Sequence, residues 1–192
     1  MIGVCITTYR EKAPNVGWYP TYVVDAESTG VRRGIGPCLM EAWDLALKDG
    51  CDYIVQIDAG GSHDPKQIDR FMTALYKGND VVVGSRFMAG ARYIGNPKRR
   101  IASRFATWMC NLKTKGNFSD WTSGYRAFSS DALTRLLKFE YKAQMHFWQA
   151  EVLHNAWLSR MTIGEVPITY TAGRSSFNRK VALEALRVWR NL

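Results

Sequence analysis

Short apolar, β-branched segments alternate along this chain with segments of helical periodicity. Strands are predicted at 3–8 (GVCITT), 22–25 (YVVD), 52–58 (DYIVQID) and 80–85 (DVVVGS), with a last one inside 161–170. Helices are predicted at 38–48, 65–75, 101–112 and 179–192, and the segment after Gly124 is expected to continue as helix. The alternation is typical of an α/β protein with a largely parallel sheet.

The size and charge of the chain limit its class. Its 192 residues suit one domain with a substantial core. No run of about 18 apolar residues occurs, so no membrane-spanning helix is expected, and the first residues lack the pattern of a secretion signal. The cysteines are far apart and lack CxxC spacing, which indicates reduced thiols and a cytoplasmic location. A formal net charge of +9 favours a polyanionic partner, such as nucleotide phosphates, anionic lipid or nucleic acid.

Polar residues follow the predicted strands where each strand ends. These segments are 8–11, 25–29, 58–63 and Arg86. In open α/β sheets, ligands bind outside the carboxyl ends of the parallel strands. We therefore expect these loops to converge on one site, where carboxylates face whatever the basic residues hold.

The strand ends belong to a series of motifs that occur in a fixed order. They are TTYRE, VVDAEST, RRGIG, IDAGGSHDP, VVVGSR, SDWTSGYRAF and EVPITY. In this order they resemble the family 2 glycosyltransferases, and most of all the dolichol-phosphate mannose synthase branch. The resemblance covers nearly the whole chain. It implies a GT-A fold, which is a Rossmann-like α/β/α sandwich with a mostly parallel central sheet, binding a nucleotide sugar.

The resemblance also implies roles for individual residues. The nucleotide sugar would contact Thr7, Thr8, Tyr9, Glu11, Asp25, Arg33, Gly34, Asp58 and Arg86. The acceptor phosphate would contact Arg104, Ser123, Arg126 and Ser129. Asp25 would accept a hydrogen bond from the base, because a carboxylate is only an acceptor. Asp58 would act in catalysis and hold Mg²⁺ or Mn²⁺ beside the diphosphate.

The chain departs from the family pattern at the metal-binding turn. The family's Asp-x-Asp is Asp58-Ala59-Gly60 here, so a hard cation loses one carboxylate ligand. We expect the metal to bind more weakly, helped by Ser62, or arginines to hold the diphosphate instead. Gly60→Asp is expected to restore the ligand, unless Gly60 or Gly61 has a positive φ, where a Cβ is costly.

The N-terminal half is abbreviated relative to the family. About ten residues join TTYRE to YVVDA, whereas a crossover with its helix needs roughly 10–12 or more. VVDAEST likewise runs almost directly into RRGIG. The domain is predicted at 1–178. A basic amphipathic helix at 179–192 follows, and it would either lie peripherally on an anionic membrane surface or pack on the sheet.

The resemblance implies an inverting transfer of a hexose, of the mannose or glucose type, from a nucleotide sugar to a polyprenyl phosphate. That acceptor is already an anion, so it needs positioning and charge neutralisation rather than a strong base. An alternative acceptor is a hydroxyl, such as that of a hydroxymethylated base in DNA, and Asp120 would then be the catalytic base. A third possibility is a nucleotide-sugar-binding protein without turnover, suggested by Ala26 and Gly60.

Overall fold

The computed structural model describes residues 1–8, 11–26, 34–173, 179–190 and 192, without the side chains of 179–182. The strands are β1 (Ile2–Thr8), β2 (Thr21–Asp25), β3 (Tyr53–Asp58), β4 (Val81–Ser85), β5 (Arg92–Ile94), β6 (Arg126–Ser129), β7 (Ile163–Pro167) and β8 (Thr169–Thr171). The helices are α1 (Ile35–Lys48), α2 (Ile68–Tyr76), α3 (Pro97–Thr114), α4 (Ser130–Leu136), α5 (Trp148–Leu158) and α6 (Arg179–Trp189). A short 3₁₀ turn, Pro65–Gln67, leads into α2.

The main sheet has the strand order β2-β1-β3-β6-β4-β7. β6 runs antiparallel to both of its neighbours, and the other pairs are parallel. A second, two-stranded sheet joins β5 to β8. The predicted α/β fold with a mostly parallel sheet is confirmed.

Helices cover both faces of the sheet, which gives a three-layer sandwich. On one face Trp43 of α1 packs against Phe128 and Trp148, with ring centroids 5.0 and 5.1 Å apart. On the other face Phe71 of α2 stacks on Tyr125 at 4.2 Å. All five side chains are fully buried. Burying each large apolar side chain contributes about 1.5–3 kcal/mol, so these rings hold the layers together.

The sheet contains one central strand that sequence patterning missed. The segment after Gly124 was expected to continue as helix, but Arg126 to Ser129 forms β6 between β3 and β4. A four-residue strand is too short for its period-2 alternation to stand out. Its pairing is set by β3 and β4, which are distant in sequence.

The chain after β7 also differs from the prediction of one strand inside 161–170. After Pro167 the chain leaves the main sheet: the Ile168 amide donates to the Ser85 carbonyl, and β8 pairs with β5. β5 itself lies between β4 and α3, where no strand was predicted. α3 begins at Pro97 rather than near residue 101, because the Asn96 side chain caps it by accepting from the Lys98 amide.

The connection between β1 and β2 is short, and a helix follows β8 near the C-terminal end of the chain. Residues 11–20 contain no helix between β1 and β2. The predicted C-terminal helix is present as α6, and it packs on the domain: Val188 is buried, and the Trp189 indole donates to the Met109 carbonyl at 3.1 Å. Among the described residues, no helix is both apolar enough and long enough to cross a bilayer.

Candidate active site

The parallel strands end together at one edge of the sheet. They end at Thr8, Asp25, Asp58, Ser85 and Pro167. Thr7 is the register partner of Asp58, and Thr8 that of Asp25, so the structure brings these four predicted residues together. Tyr9 and Arg33 lie outside the described residues.

Asp58 is held at this edge with its carboxylate open to solvent. Its side chain is 42% exposed. The loop before β6 passes directly beside it: a Cβ on Gly124 would lie 2.8 and 2.9 Å from the two carboxylate oxygens. Gln56 anchors this loop by donating to the Gly124 carbonyl at 2.8 Å. Glycine at position 124 is therefore a requirement of the Asp58 conformation.

His63 supports the Asp58 turn from inside. Its ring is buried between Tyr125 and Tyr170, at 5.0 and 5.4 Å. Nδ1 accepts the Asp58 amide hydrogen at 3.3 Å and has no proton to offer the carboxylate, 3.7 Å away. Burial lowers the pKa of His63, and the Asp58 charge opposes this only in part. His63 is therefore neutral near pH 7.

The backbone conformation of the turn after Asp58 prevents an aspartate at position 60 from simply restoring the missing metal ligand. Gly60 and Gly61 have φ of +79° and +73°. A Cβ on Gly60 would lie 3.3 Å from both Cδ and Oε1 of Glu11. Gly60→Asp would strain the backbone and place a second negative charge against Glu11. The expectation that this substitution restores a ligand is therefore corrected.

Arg86 and Asp120 form a buried ion pair beside the site. The arginine donates from Nε to Oδ2 at 2.7 Å and from Nη2 to Oδ1 at 2.8 Å, and Nη2 also donates to Thr122 Oγ1. Burial disfavours the charged guanidinium, but Asp120 outweighs this and raises the pKa of Arg86. Both carboxylate oxygens of Asp120 are occupied and its side chain is fully buried. Asp120 is therefore unsuited to act as a general base, and most of the Arg86 donors are already used.

Glu165 was not singled out from the sequence, although it helps to build the site. It lies in β7, and its carboxylate accepts hydrogen bonds from the Ser119 amide and hydroxyl and from the Asp120 amide. The only sequence signal was a charge inside a strand-like segment, which needs partners when it is partly buried. Its role is to hold the loop that carries Asp120.

Three residues expected to bind the acceptor are either fully buried or lie at the opposite edge of the sheet. Arg126 is fully buried, donates to the carbonyls of Ser123 and Trp121 at 3.0 Å, and has its pKa lowered by burial to about 9. Ser123 is fully buried as well. Ser129 pairs with Tyr53 at the opposite edge of the sheet, where it caps α4. We therefore assign Arg126 to holding the loop, through the Ser123 and Trp121 carbonyls, and Ser129 to the helix cap.

Gly34 also has a packing role. It is buried ahead of α1, and a Cβ there would overlap the Gln144 carbonyl oxygen. The neighbouring Gly36 amide donates to that same carbonyl at 3.1 Å. Close approach of two backbones accounts for this glycine, whether or not a diphosphate passes nearby.

Arg104 lies at a cavity of about 250 Å³ next to the ion pair. The cavity is lined by Phe87, Arg104, Thr107, Trp108, Asn111, Phe118 and Ser119. The Arg104 guanidinium is 5.9 Å from the Phe87 ring centroid, and Arg86 contacts the same ring at 5.0 Å. Cationic and aromatic side chains therefore share one cavity at the carboxyl edge of the sheet.

The chain has relatives of known activity. No protein-family model matches it. It is 28% identical over 141 residues to polyprenol monophosphomannose synthase of Mycolicibacterium smegmatis, covering 73% of this chain and 53% of that protein. It is 28% identical over 162 residues to undecaprenyl-phosphate mannosyltransferase of Micrococcus luteus, covering 81% and 65%. The chain thus spans about half to two thirds of the length of these relatives.

Solved structures show the same fold. Glucosyl-3-phosphoglycerate synthase of Mycobacterium tuberculosis, in complex with Mn²⁺, uridine-diphosphate-glucose and phosphoglyceric acid, superposes with a TM-score of 0.71 at 18% identity, covering 97% of this chain and 76% of that one. The same enzyme with uridine diphosphate gives 0.64, covering 98% and 80%. The chain therefore has the GT-A fold and is related to the family 2 glycosyltransferases of the polyprenyl-phosphate branch.

Proposed function

We propose that this protein is a glycosyltransferase that moves a hexose from a nucleotide sugar to a polyprenyl phosphate, with inversion at the sugar. The names of the relatives support the acceptor class, because both describe mannosyl transfer to a polyprenyl carrier. The observation that carries the proposal is the cavity beside Arg104, where aromatic walls meet a guanidinium at the carboxyl edge of the sheet. A polyprenyl phosphate has an anionic phosphate, which a guanidinium can bind, and a long apolar chain, which aromatic side chains can contact.

The cavity opens beside an apolar face that no part of the described chain covers. On α3 the residues Ile101, Phe105, Trp108 and Leu112 recur at helical spacing and are 56 to 67% exposed. Lys98, Arg99 and Arg100 precede them at the start of the helix. An apolar stripe with basic residues fits an anionic bilayer surface, where the carrier lipid resides. The proposal therefore includes contact of this face with the membrane. It places the protein on the cytoplasmic side, where its buried free thiols would stay reduced.

The donor would bind at the ends of β1, β2 and β3. Thr7, Thr8 and Asp25 lie side by side there, and Asp58 lies next to them. Asp25 is exposed and would accept a hydrogen bond from the base. Tyr9 and Arg33 keep the roles implied by the family motifs. A divalent cation, when bound at Asp58, would neutralise charge on the departing diphosphate.

The reaction needs geometry more than proton transfer. An oxygen of the acceptor phosphate attacks the anomeric carbon, the bond from that carbon to the diphosphate oxygen breaks, and the electron pair leaves with the diphosphate. The attacking oxygen already carries negative charge, so no base is required. Both carboxylate oxygens of Asp120 already accept hydrogen bonds from Arg86. This supports a phosphate acceptor, which needs no base, over a hydroxyl acceptor, for which Asp120 was the candidate base.

The test is a transfer assay with purified protein. UDP- and GDP-linked glucose and mannose are offered with undecaprenyl phosphate in anionic vesicles, or with hydroxymethylated DNA. We expect transfer to the lipid phosphate, and loss of that transfer in Arg104→Gln and Trp108→Ser with little change in donor hydrolysis. Lys77→Gln, an exposed charge change at the opposite edge of the sheet, is the control. Transfer to DNA, or donor binding without turnover on any acceptor, would refute the proposal.

A further inference from the structure

Glu11 lies beside the turn that lacks its second carboxylate. The turn runs from Asp58 through a buried Ala59 to Gly60. On either side of Ala59, the Asp58 side chain is 42% exposed and Gly60 is exposed. The family pattern has a carboxylate at both positions, and this chain has one only at Asp58.

We propose that Glu11 supplies the second carboxylate of the divalent-cation site, in place of the aspartate missing at position 60. The inference rests on the proposed use of a nucleotide sugar. Its basis is the position of the Glu11 carboxyl group: Cδ and Oε1 are each 3.3 Å from where a Cβ of residue 60 would be. The Glu11 carboxyl group would therefore contact the Cβ of any side chain at position 60, and it lies beside the space that an aspartate there would enter.

The surrounding charges support this assignment. Within the described chain, neither carboxylate forms an ion pair with lysine or arginine. Two anionic groups at one turn repel each other unless a cation lies between them. Among the described residues, no cluster of three or more acidic, histidine or cysteine side chains could hold a metal ion, so the protein itself would supply two carboxylates at most. A hard cation accepts such oxygen ligands and completes its shell with diphosphate oxygens and water.

The source of the second carboxylate has a consequence for binding. Glu11 lies in the segment after β1, which would contact the nucleotide, whereas Asp58 is the last residue of β3. A cation held by both connects the nucleotide loop to the sugar-diphosphate turn. We therefore expect Mn²⁺ and nucleoside diphosphate to bind more tightly together than separately.

The experiment measures Mn²⁺ binding directly, from the loss of the free-ion electron paramagnetic resonance signal, with and without UDP or GDP. We expect Glu11→Gln to weaken Mn²⁺ binding roughly tenfold or more, since even outer-shell changes cost about 10–100-fold. Gly60→Asp alone should give no tightening. The double variant Glu11→Ala with Gly60→Asp should recover part of the affinity, because the space vacated by Glu11 then accommodates the new carboxylate. Asp131→Asn, in the first turn of α4 at the opposite edge, is the matched control.

Several outcomes would overturn the assignment. Unchanged Mn²⁺ affinity in Glu11→Gln would show that Glu11 is no ligand. Tighter binding in Gly60→Asp with Glu11 intact would show that position 60 is open to a ligand after all. Absence of Mn²⁺ binding by the wild type with either diphosphate would overturn it as well. None of these results decides whether a hexose is transferred, which the acceptor assay measures separately.

Discussion

Replacing Asp120 by asparagine tests whether its carboxylate has a structural role or a catalytic one. The substitution keeps the size of the side chain, so it creates no cavity, but it removes the charge that Arg86 faces. The two carboxylate oxygens accept from guanidinium nitrogens 2.7 and 2.8 Å away, and the substitution turns one of them into an NH₂ group that faces a donor. Arg86 is only 8% exposed and cannot turn to water without rearranging the loop.

The expected loss of stability follows from this geometry. Removing one partner of a buried ion pair costs about 3–5 kcal/mol, because the other charge remains buried without compensation. For a chain of 192 residues, each kcal/mol lowers Tm by about 2–4 °C, so we expect a decrease of roughly 6–20 °C. Thr122→Val removes only the hydrogen bond from Arg86 Nη2 and should cost about 1 kcal/mol.

Urea unfolding followed by tryptophan fluorescence measures both variants, since Trp121 is buried next to Asp120. Transfer activity is measured on the same samples at a temperature where both are folded. An Asp120→Asn variant with the free energy of unfolding of the wild type and no transfer activity would refute the structural assignment. It would instead support Asp120 as the base of a reaction with a hydroxyl acceptor.

Three further substitutions test the site at single positions. Gly124→Ala should reduce transfer by about 100-fold, because its Cβ would lie 2.8 Å from an Asp58 carboxylate oxygen and would displace the carboxylate. The free energy of unfolding should change by less than ~1 kcal/mol, and transfer at the wild-type rate would contradict this prediction. Gly34→Ala should instead destabilise the fold by about 1–3 kcal/mol in urea unfolding, because its Cβ would overlap the Gln144 carbonyl; a wild-type midpoint would show that this contact can relax. The folded pKa of His63 lies below its ordinary value of 6.5, so its contribution to stability is complete above about pH 6.5 and is lost as pH falls through the lowered pKa. His63→Gln should flatten the decline in unfolding free energy between about pH 8 and about pH 5, and an unchanged slope would show that His63 does not titrate on unfolding.

The parts of this protein that depend on local pattern could be predicted. β1, β3 and β4 are continuous apolar segments, and α2 carries its buried residues on one face, so burial on each element is visible in the residues of that element alone. Parallel strands place their carboxyl ends at one edge, which is why Thr7, Thr8, Asp25 and Asp58 were expected together and lie together. The motif order then pointed to the GT-A fold.

What could not be predicted depends on pairings between distant segments. Arg126 resembles an acceptor ligand in sequence but points into the protein, because β6 is inserted antiparallel between β3 and β4. Asp120 resembles a base but is neutralised by Arg86, 34 residues earlier. Gly60 looks like a lost ligand, yet the carboxyl group of Glu11 lies 3.3 Å from where a Cβ of residue 60 would be. A side chain's neighbours across the sheet edge are set by strand order and register, which local periodicity does not encode.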